Sequence, residues 1–166
     1  NNQQHSGFLA MRPRRSALYM PGANARALEK ARNLDADCLL LDLEDAVAPD
    51  AKAEARGQIC AALMQGGYGQ RELVVRINAL STPWGGDDMA ALQQLDPAAR
   101  PDAILAPKIS SCEDIYSLSQ ALPDGVDLWI MVETPAAIFN IQALAACARD
   151  SKLRCFVMGT NDLAKD

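Results

Sequence analysis

The chain of 166 residues contains one histidine, His5, in the polar opening stretch NNQQHSGFLA. Histidine acid–base or nucleophilic chemistry is therefore excluded from the rest of this segment. No apolar run approaches ~18 residues, so the sequence holds no membrane-spanning helix. The opening stretch lacks a basic start and a long apolar centre, which excludes a secretory signal. Residues 1–13 are expected to form a disordered tail. The five cysteines (38, 60, 112, 147 and 155) are odd in number and contain no C-x-x-C pair. Three of them sit in apolar periodic segments, where a free thiol behaves as a small hydrophobe. This points to a reduced, cytoplasmic protein without a disulfide framework or zinc site. Positive charge is also short, with 16 Lys and Arg against 21 Asp and Glu. A nucleic-acid partner would need a basic field, and the net charge is −5.

What is present is an alternation. Short apolar runs occur at 16–20, 38–43, 73–77, 103–106, 127–132 and 154–158. Each is too short for a helix and apolar on consecutive positions, the pattern of strands buried on both faces. Helical spacing separates them at 24–34, 51–64, 87–95, 112–121 and 135–147. Ser111 with Asp114 resembles a capping box, and Thr134-Pro135 reads as an N-cap followed by Pro at the first helical position. With no linker or composition break, residues 14–166 are expected to form one α/β domain on a parallel sheet. A doubly wound dinucleotide fold should carry G-x-G-x-x-G after its first strand, but here that strand runs into MPGANAR with a single glycine. The alternative is a (β/α)8 TIM barrel, of which this chain covers about the first six βα units. Six strands without the closing pair would leave both sheet edges unpaired.

In a barrel the chemistry sits where strands end, and five of these six ends carry an ionisable side chain. The second strand runs through CLLLDLEDAVAPD into Glu44-Asp45. The third carries Arg76 and Asn78, the fourth leads to Pro107-Lys108, the fifth to Glu133-Thr134 and the sixth to Gly159-Thr160-Asn161-Asp162. Glu133 and Asp162 are hard oxygen donors that suit Mg²⁺. A second reading has Glu133 paired with Lys108 and Asp162 capping a short helix. Arg76 leaves an apolar strand, so it needs a partner. Its planar fork suits a carboxylate or a developing enolate oxygen, or a resting ion pair with Glu44 or Asp45. Asp42, one step inside the apolar run, reads as structural and needs a buried partner. Lys108 among acids is stabilised as an ammonium, which disfavours a Schiff base. Metal, arginine and carboxylates without histidine or a phosphate loop suit enolate chemistry on an oxo or hydroxy acid.

The stretches RSALYMPGANARALEKA, LLLDLEDAVAPDAKAEAR, VVRINAL, LAPK, VETPAAI and MGTNDLAKD together resemble the HpcH/HpaI aldolase/citrate lyase superfamily. The likeness is to the branch of citrate lyase β-subunit-like proteins and malyl-CoA and citramalyl-CoA lyases, from about residue 15 to the last residue. It implies a TIM barrel assembled as a homotrimer or a multiple of trimers, Mg²⁺ as cofactor, and a CoA or acyl-carrier thioester substrate. It further implies that Glu133 and Asp162 hold the metal, and that Arg76 binds substrate and stabilises the thioester enolate. By the same resemblance Glu44 and Asp45 lie beside the metal through water and Arg15 lies near the CoA. The basic residues at 12–32 then gain a role against CoA phosphates, while Lys108, Gly159, Thr160 and Asn161 are expected around the substrate. The final third of the family's barrel is absent from the sequence, and GTNDLAKD differs from the loop of authentic citrate lyase subunits. The expected activity is Mg²⁺-dependent carbon–carbon cleavage of a 3-hydroxyacyl thioester (citramalyl-CoA, malyl-CoA or a citryl thioester) to acetyl-CoA and a 2-oxo acid. The alternatives are a non-catalytic, partner-dependent CoA-binding barrel fragment and a metal-dependent aldolase of free 2-oxo acids.

Overall fold

Six aliphatic runs become six strands because none is long enough for a stable helix and each is bounded by turn residues. The structure, a computed structural model, describes residues 12–160. Asn161 and Asp162, expected around substrate and metal, lie outside the described residues. The strands are β1 (Ala17–Pro21), β2 (Cys38–Asp42), β3 (Glu72–Arg76), β4 (Ala103–Ala106), β5 (Asp127–Val132) and β6 (Leu153–Met158). All neighbours are parallel and the spatial order is β1 to β6 in sequence order. The fold is α/β, five successive strand–helix units and a sixth strand in the manner of a TIM barrel. Among the described residues β1 pairs only with β2, and β6 only with β5. No helix among them is long and apolar enough to cross a membrane.

The helices are α1 (Ala25–Ala31), α2 (Lys52–Gln65), α3 (Gly85–Gln93), α4 (Cys112–Ala121), α5 (Pro135–Phe139) and α6 (Ile141–Ala146). The capping residues act as expected: Ser111 accepts from the Asp114 N–H and Thr134 from the Ala137 N–H, satisfying otherwise orphaned donors. One expectation is corrected. The helix foreseen over 135–147 is two short helices joined at Asn140, whose φ of −97° and ψ of 5° leave the helical region. The Asn140 side-chain amide donates to the Ser110 carbonyl at 3.3 Å, tying this break to the loop after β4, while its backbone N–H keeps the bond to the Ala136 carbonyl.

Successive residues on each strand face opposite ways, and in β2 to β5 both faces are dry, while β1 and β6 are partly exposed. Leu39, Leu41, Val75, Ile104 and Ile130 pack outward into the main core under the helices. Cys38, Leu40, Val74, Leu105, Trp129 and Met131 form a second, inner core on the concave face. Below this inner core Arg14 grips Glu72 with bonds of 2.5 and 2.7 Å and lies over the Trp129 ring. Above it, at the C-terminal ends of the strands, the same inward parity reaches Asp42, Arg76, Glu133 and Gly159.

Candidate active site

Strands β2 and β3 pair in register so that Asp42 lies directly beside Arg76. Both side chains are buried, at 0% and 6% exposure. An isolated buried charge is costly, and the pair offsets part of that cost for each partner. Arg76 Nε donates to Asp42 Oδ1 at 2.7 Å and Nη2 to Oδ2 at 2.6 Å, a two-toothed clasp. Burial disfavours the Arg76 charge, but hydrogen bonding and attraction from Asp42 outweigh it and raise the guanidinium's pKa. Asp42 also accepts the Glu44 N–H at 2.9 Å and the Ala46 N–H at 3.1 Å. The clasp and the loop after β2 are therefore one unit. Lys52 braces that loop from behind, donating to the Leu43 and Glu44 carbonyls at 2.9 Å each while lying over the Trp84 ring.

The third corner of the guanidinium, Nη1, faces Glu44 Oε2 at 3.1 Å and Asp45 Oδ2 at 3.2 Å. The two acids differ sharply in environment. The Asp45 side chain is 69% exposed, whereas that of Glu44 is 15% exposed. Glu44 Oε2 stands at ion-pair distance from Arg76 without an aligned hydrogen bond, and no other partner reaches it. Burial, offset only in part by Arg76, pushes the Glu44 carboxyl up to about 7. The Tyr19 ring covers the face of the guanidinium, 4.8 Å from its carbon.

Glu133 extends from the end of β5 and is 2% exposed. Its Oε1 accepts the Lys108 backbone N–H at 2.8 Å and lies 3.8 Å from Lys108 Nζ. Lys108 makes this contact from a left-handed backbone, φ 57°, unusual for a residue with a side chain. Gly159 makes room on the other side. A methyl group there would stand 2.6 Å from Glu133 Cβ and 3.0 Å from Glu133 Oε2. A cleft of about 430 Å³ opens over these groups, lined by Tyr19, Asp42, Asp45, Arg76, Glu133 and Gly159 among others, with Thr160 at its rim.

The sequence profile of the HpcH/HpaI aldolase/citrate lyase family matches residues 15–166. The chain belongs to this family. Over 154 residues it is 46% identical to a (3S)-malyl-CoA thioesterase of Cereibacter sphaeroides, covering 93% of this chain and 51% of that protein. It is 34% identical over 164 residues to an L-malyl-CoA/beta-methylmalyl-CoA lyase of the same species, covering 92% and 50%. Among solved structures, CitE from Mycobacterium tuberculosis in complex with magnesium, acetoacetate and coenzyme A superposes with a TM-score of 0.71 at 26% identity, covering 93% of this chain and 52% of that one. The chain spans about half the length of the curated relatives it matches.

Against this HpcH/HpaI frame the foreseen residues divide. The structure brings Arg76, Glu44, Asp45, Glu133, Lys108, Gly159 and Thr160 to the strand ends around the cleft. Arg15 is not brought there. It precedes β1, at the opposite end of a strand roughly 16 Å long, and its guanidinium and backbone N–H both bind Asp37. Three more of the basic residues expected to face CoA phosphates have protein partners: Arg12 meets Asp102 and the Gln70 carbonyl, Arg14 meets Glu72, and Arg32 meets Glu29 and the Gly66 carbonyl. Each flanks the N-terminal end of the sheet or the far end of α1, where acids of that end are within reach. Two residues of the site were not foreseen in it, Asp42 as the partner of Arg76, and Tyr19. Aligning the ends of the second and third apolar runs would have put Asp42 beside Arg76.

Among the described residues no group of three His, Cys, Asp or Glu side chains is arranged to hold a metal. The donor set nonetheless fits a hard divalent cation. Asp42, Glu44, Asp45 and Glu133 outnumber Arg76 and Lys108 around the cleft, Glu44 Oε2 lacks a hydrogen-bond partner, and Gly159 leaves space at Glu133 Oε2.

Proposed function

We propose that the protein is a Mg²⁺-dependent enzyme of CoA thioesters that cleaves the carbon–carbon bond of a 3-hydroxyacyl thioester bearing a terminal carboxylate. The products are acetyl-CoA and a 2-oxo acid, and the candidate substrates are malyl-CoA, citramalyl-CoA and a citryl thioester. The observation that carries this is a guanidinium, Arg76, fixed by Asp42 and with Nη1 turned to Glu44 and the exposed Asp45 at a cleft ringed by carboxylates. Glu133, with Asp162, would hold the metal, which supplies Lewis-acid polarisation of the substrate's oxygens. Arg76 donates to the thioester oxygen on which enolate charge develops, in a site where its own charge is already compensated by Asp42. Glu44 and Asp45 orient water at the cleft. Lys108 fixes Glu133 through its backbone N–H and contributes a cation at the rim, beside Gly159, Thr160 and Asn161. The solved magnesium complex of CitE and the malyl-CoA lyase similarity support this assignment.

A second reading is favoured by the 46% identity to a malyl-CoA thioesterase: water attacks the thioester carbonyl and the products are malate and free CoA. Incubation with malyl-, citramalyl- and citryl-CoA, with and without Mg²⁺, separates them by product. Mg²⁺-dependent acetyl-CoA with a 2-oxo acid supports the lyase. Free CoA with an intact hydroxy acid supports the hydrolase. Turnover of none of the three refutes both.

A further inference from the structure

Of the five free thiols, three serve packing. Cys38 and Cys155 belong to the inner core, where burial raises both, Cys38 to about 12. Cys60, on α2, is raised by burial as well. Cys112 and Cys147 stand apart from these. Cys112 opens α4, and Cys147 follows the last residue of α6. Their thiols converge on one acceptor. Cys112 donates to the Ala143 carbonyl at 3.5 Å, and Cys147 donates to the same oxygen at 3.3 Å. The Cys112 thiol also comes within hydrogen-bonding reach of Cys147, as does the Tyr116 hydroxyl one turn along α4. Cys112 is partly exposed and Cys147 is buried. A solvent-reachable thiol beside a sheltered one is the arrangement in which the first meets an oxidant and the second resolves it.

We propose that Cys112 and Cys147 form a redox modification site, closed to a disulfide by hydrogen peroxide, that clamps the start of α4 to α6. The peroxide takes two electrons from the Cys112 sulfur, its O–O bond breaks, and Cys112 becomes a sulfenic acid as one water leaves. The Cys147 sulfur then attacks the Cys112 sulfur. Its proton joins the departing hydroxide as a second water, and the S–S bond forms. The Ala143 carbonyl is not stranded by this, because it also accepts the Cys147 backbone N–H. The hydrogen bond to Cys147 is the first cause of a raised Cys112 pKa, so little of this thiol is ionised near neutrality and the reaction is slow. The clamp lies on a seam that runs out from the cleft. Along it the Lys108 N–H meets Glu133 Oε1 at 2.8 Å, the Asn140 amide meets the Ser110 carbonyl at 3.3 Å, and the two thiols form the outer link. Oxidation makes that link covalent. The proposal is independent of the thioester assignment.

The test is peptide mapping of the intact protein, reduced, treated with hydrogen peroxide, then unfolded, alkylated and digested without reductant. The expected product is a peptide pair linked through Cys112 and Cys147, lighter by about 2 Da than the two reduced peptides and separated again by dithiothreitol. Cys38, Cys60 and Cys155 are expected to carry the alkyl label. Cys112 found as sulfinic acid while Cys147 is alkylated overturns the proposal, and so does linkage of either residue to another cysteine. Cys147→Ser keeps the size of the side chain and a donor for the Ala143 carbonyl, but removes the resolving sulfur. Dimedone capture of the Cys112 sulfenic acid is expected to rise at least about tenfold over wild type in this variant. Equal capture in the two proteins shows that Cys147 does not resolve Cys112 and overturns the proposal. Amide hydrogen exchange reads the clamp itself. In the linked protein, exchange over 109–116 and 138–147 is expected to slow at least about threefold and to recover on reduction. Unchanged exchange overturns the clamp.

Discussion

Glu44 places a carboxyl where the fold does not favour its charge, which makes stability depend on pH in a calculable direction. Its pKa rises from an ordinary 4.5 to about 7, first because burial penalises the anion and then because Asp45, Glu133 and Asp42 repel it, with Arg76 opposing. The folded state thus holds a proton that the unfolded chain has released, and stability falls as pH rises through this window. The contribution is fully present below about 4.5 and lost above about 7. At 1.36 kcal/mol per pKa unit the whole effect is at most about 3 kcal/mol, most of it lost between pH 5 and pH 8. Glu44→Gln keeps the shape, carries no charge and cannot titrate. Urea unfolding of both proteins in a metal chelator, at half-unit steps from pH 5 to pH 8, gives the difference directly. The Gln variant is expected to gain on wild type by about 2–3 kcal/mol over that range. Parallel stability curves would refute the reasoning, since they require Glu44 to ionise equally well folded and unfolded. A variant that loses ground with rising pH would reverse its sign.

Gly159→Ala brings a methyl group to 2.6 Å from Glu133 Cβ, so the carboxylate must move. The expected outcome is a loss of Mg²⁺ affinity and of turnover, each by at least about tenfold by analogy with disturbed metal-ligand positioning, read by calorimetry and steady-state rates. Unchanged values of both would show that the glycine is not needed there. Asp88 is fully buried and accepts from Arg56 Nε at 2.8 Å, Asn78 N at 3.0 Å and Asn78 Nδ2 at 2.7 Å. Asp88→Ala strands a guanidinium and an amide behind the loop after β3, and should cost about 3–5 kcal/mol in urea unfolding. A cost below about 1 kcal/mol would mean that water replaces the carboxylate without penalty.

The strand–helix alternation was legible because parallel strands buried on both faces announce themselves as short unbroken apolar runs, and because Ser111 and Thr134 mark helix starts chemically. That same continuity hid the facing of each strand. In CLLLDLED nothing local distinguishes Leu40, which enters the inner core, from Leu39 and Leu41, which pack under the helices. Asp42 suffered most from this. Its position inside an apolar run argued for a buried partner, but the identity of that partner depended on the register of a strand 34 residues away. The helix foreseen over 135–147 is interrupted at Asn140, whose side chain meets the Ser110 carbonyl, a contact remote in sequence.

By itself, the sequence determined the α/β class, the order of units, and the strand-end placement of Glu44, Asp45, Arg76, Lys108 and Glu133. These follow from hydrophobic periodicity and residue type, which are local properties. Only the tertiary structure decided which charges meet. It sent Arg14 to Glu72 and Arg15 to Asp37 at one end of the sheet, and clasped Arg76 to Asp42 at the other. The physical reason is that a buried charge must find its counterpart within a few ångströms. Parallel pairing, which aligns residues that the chain keeps far apart, sets which counterparts are within that reach.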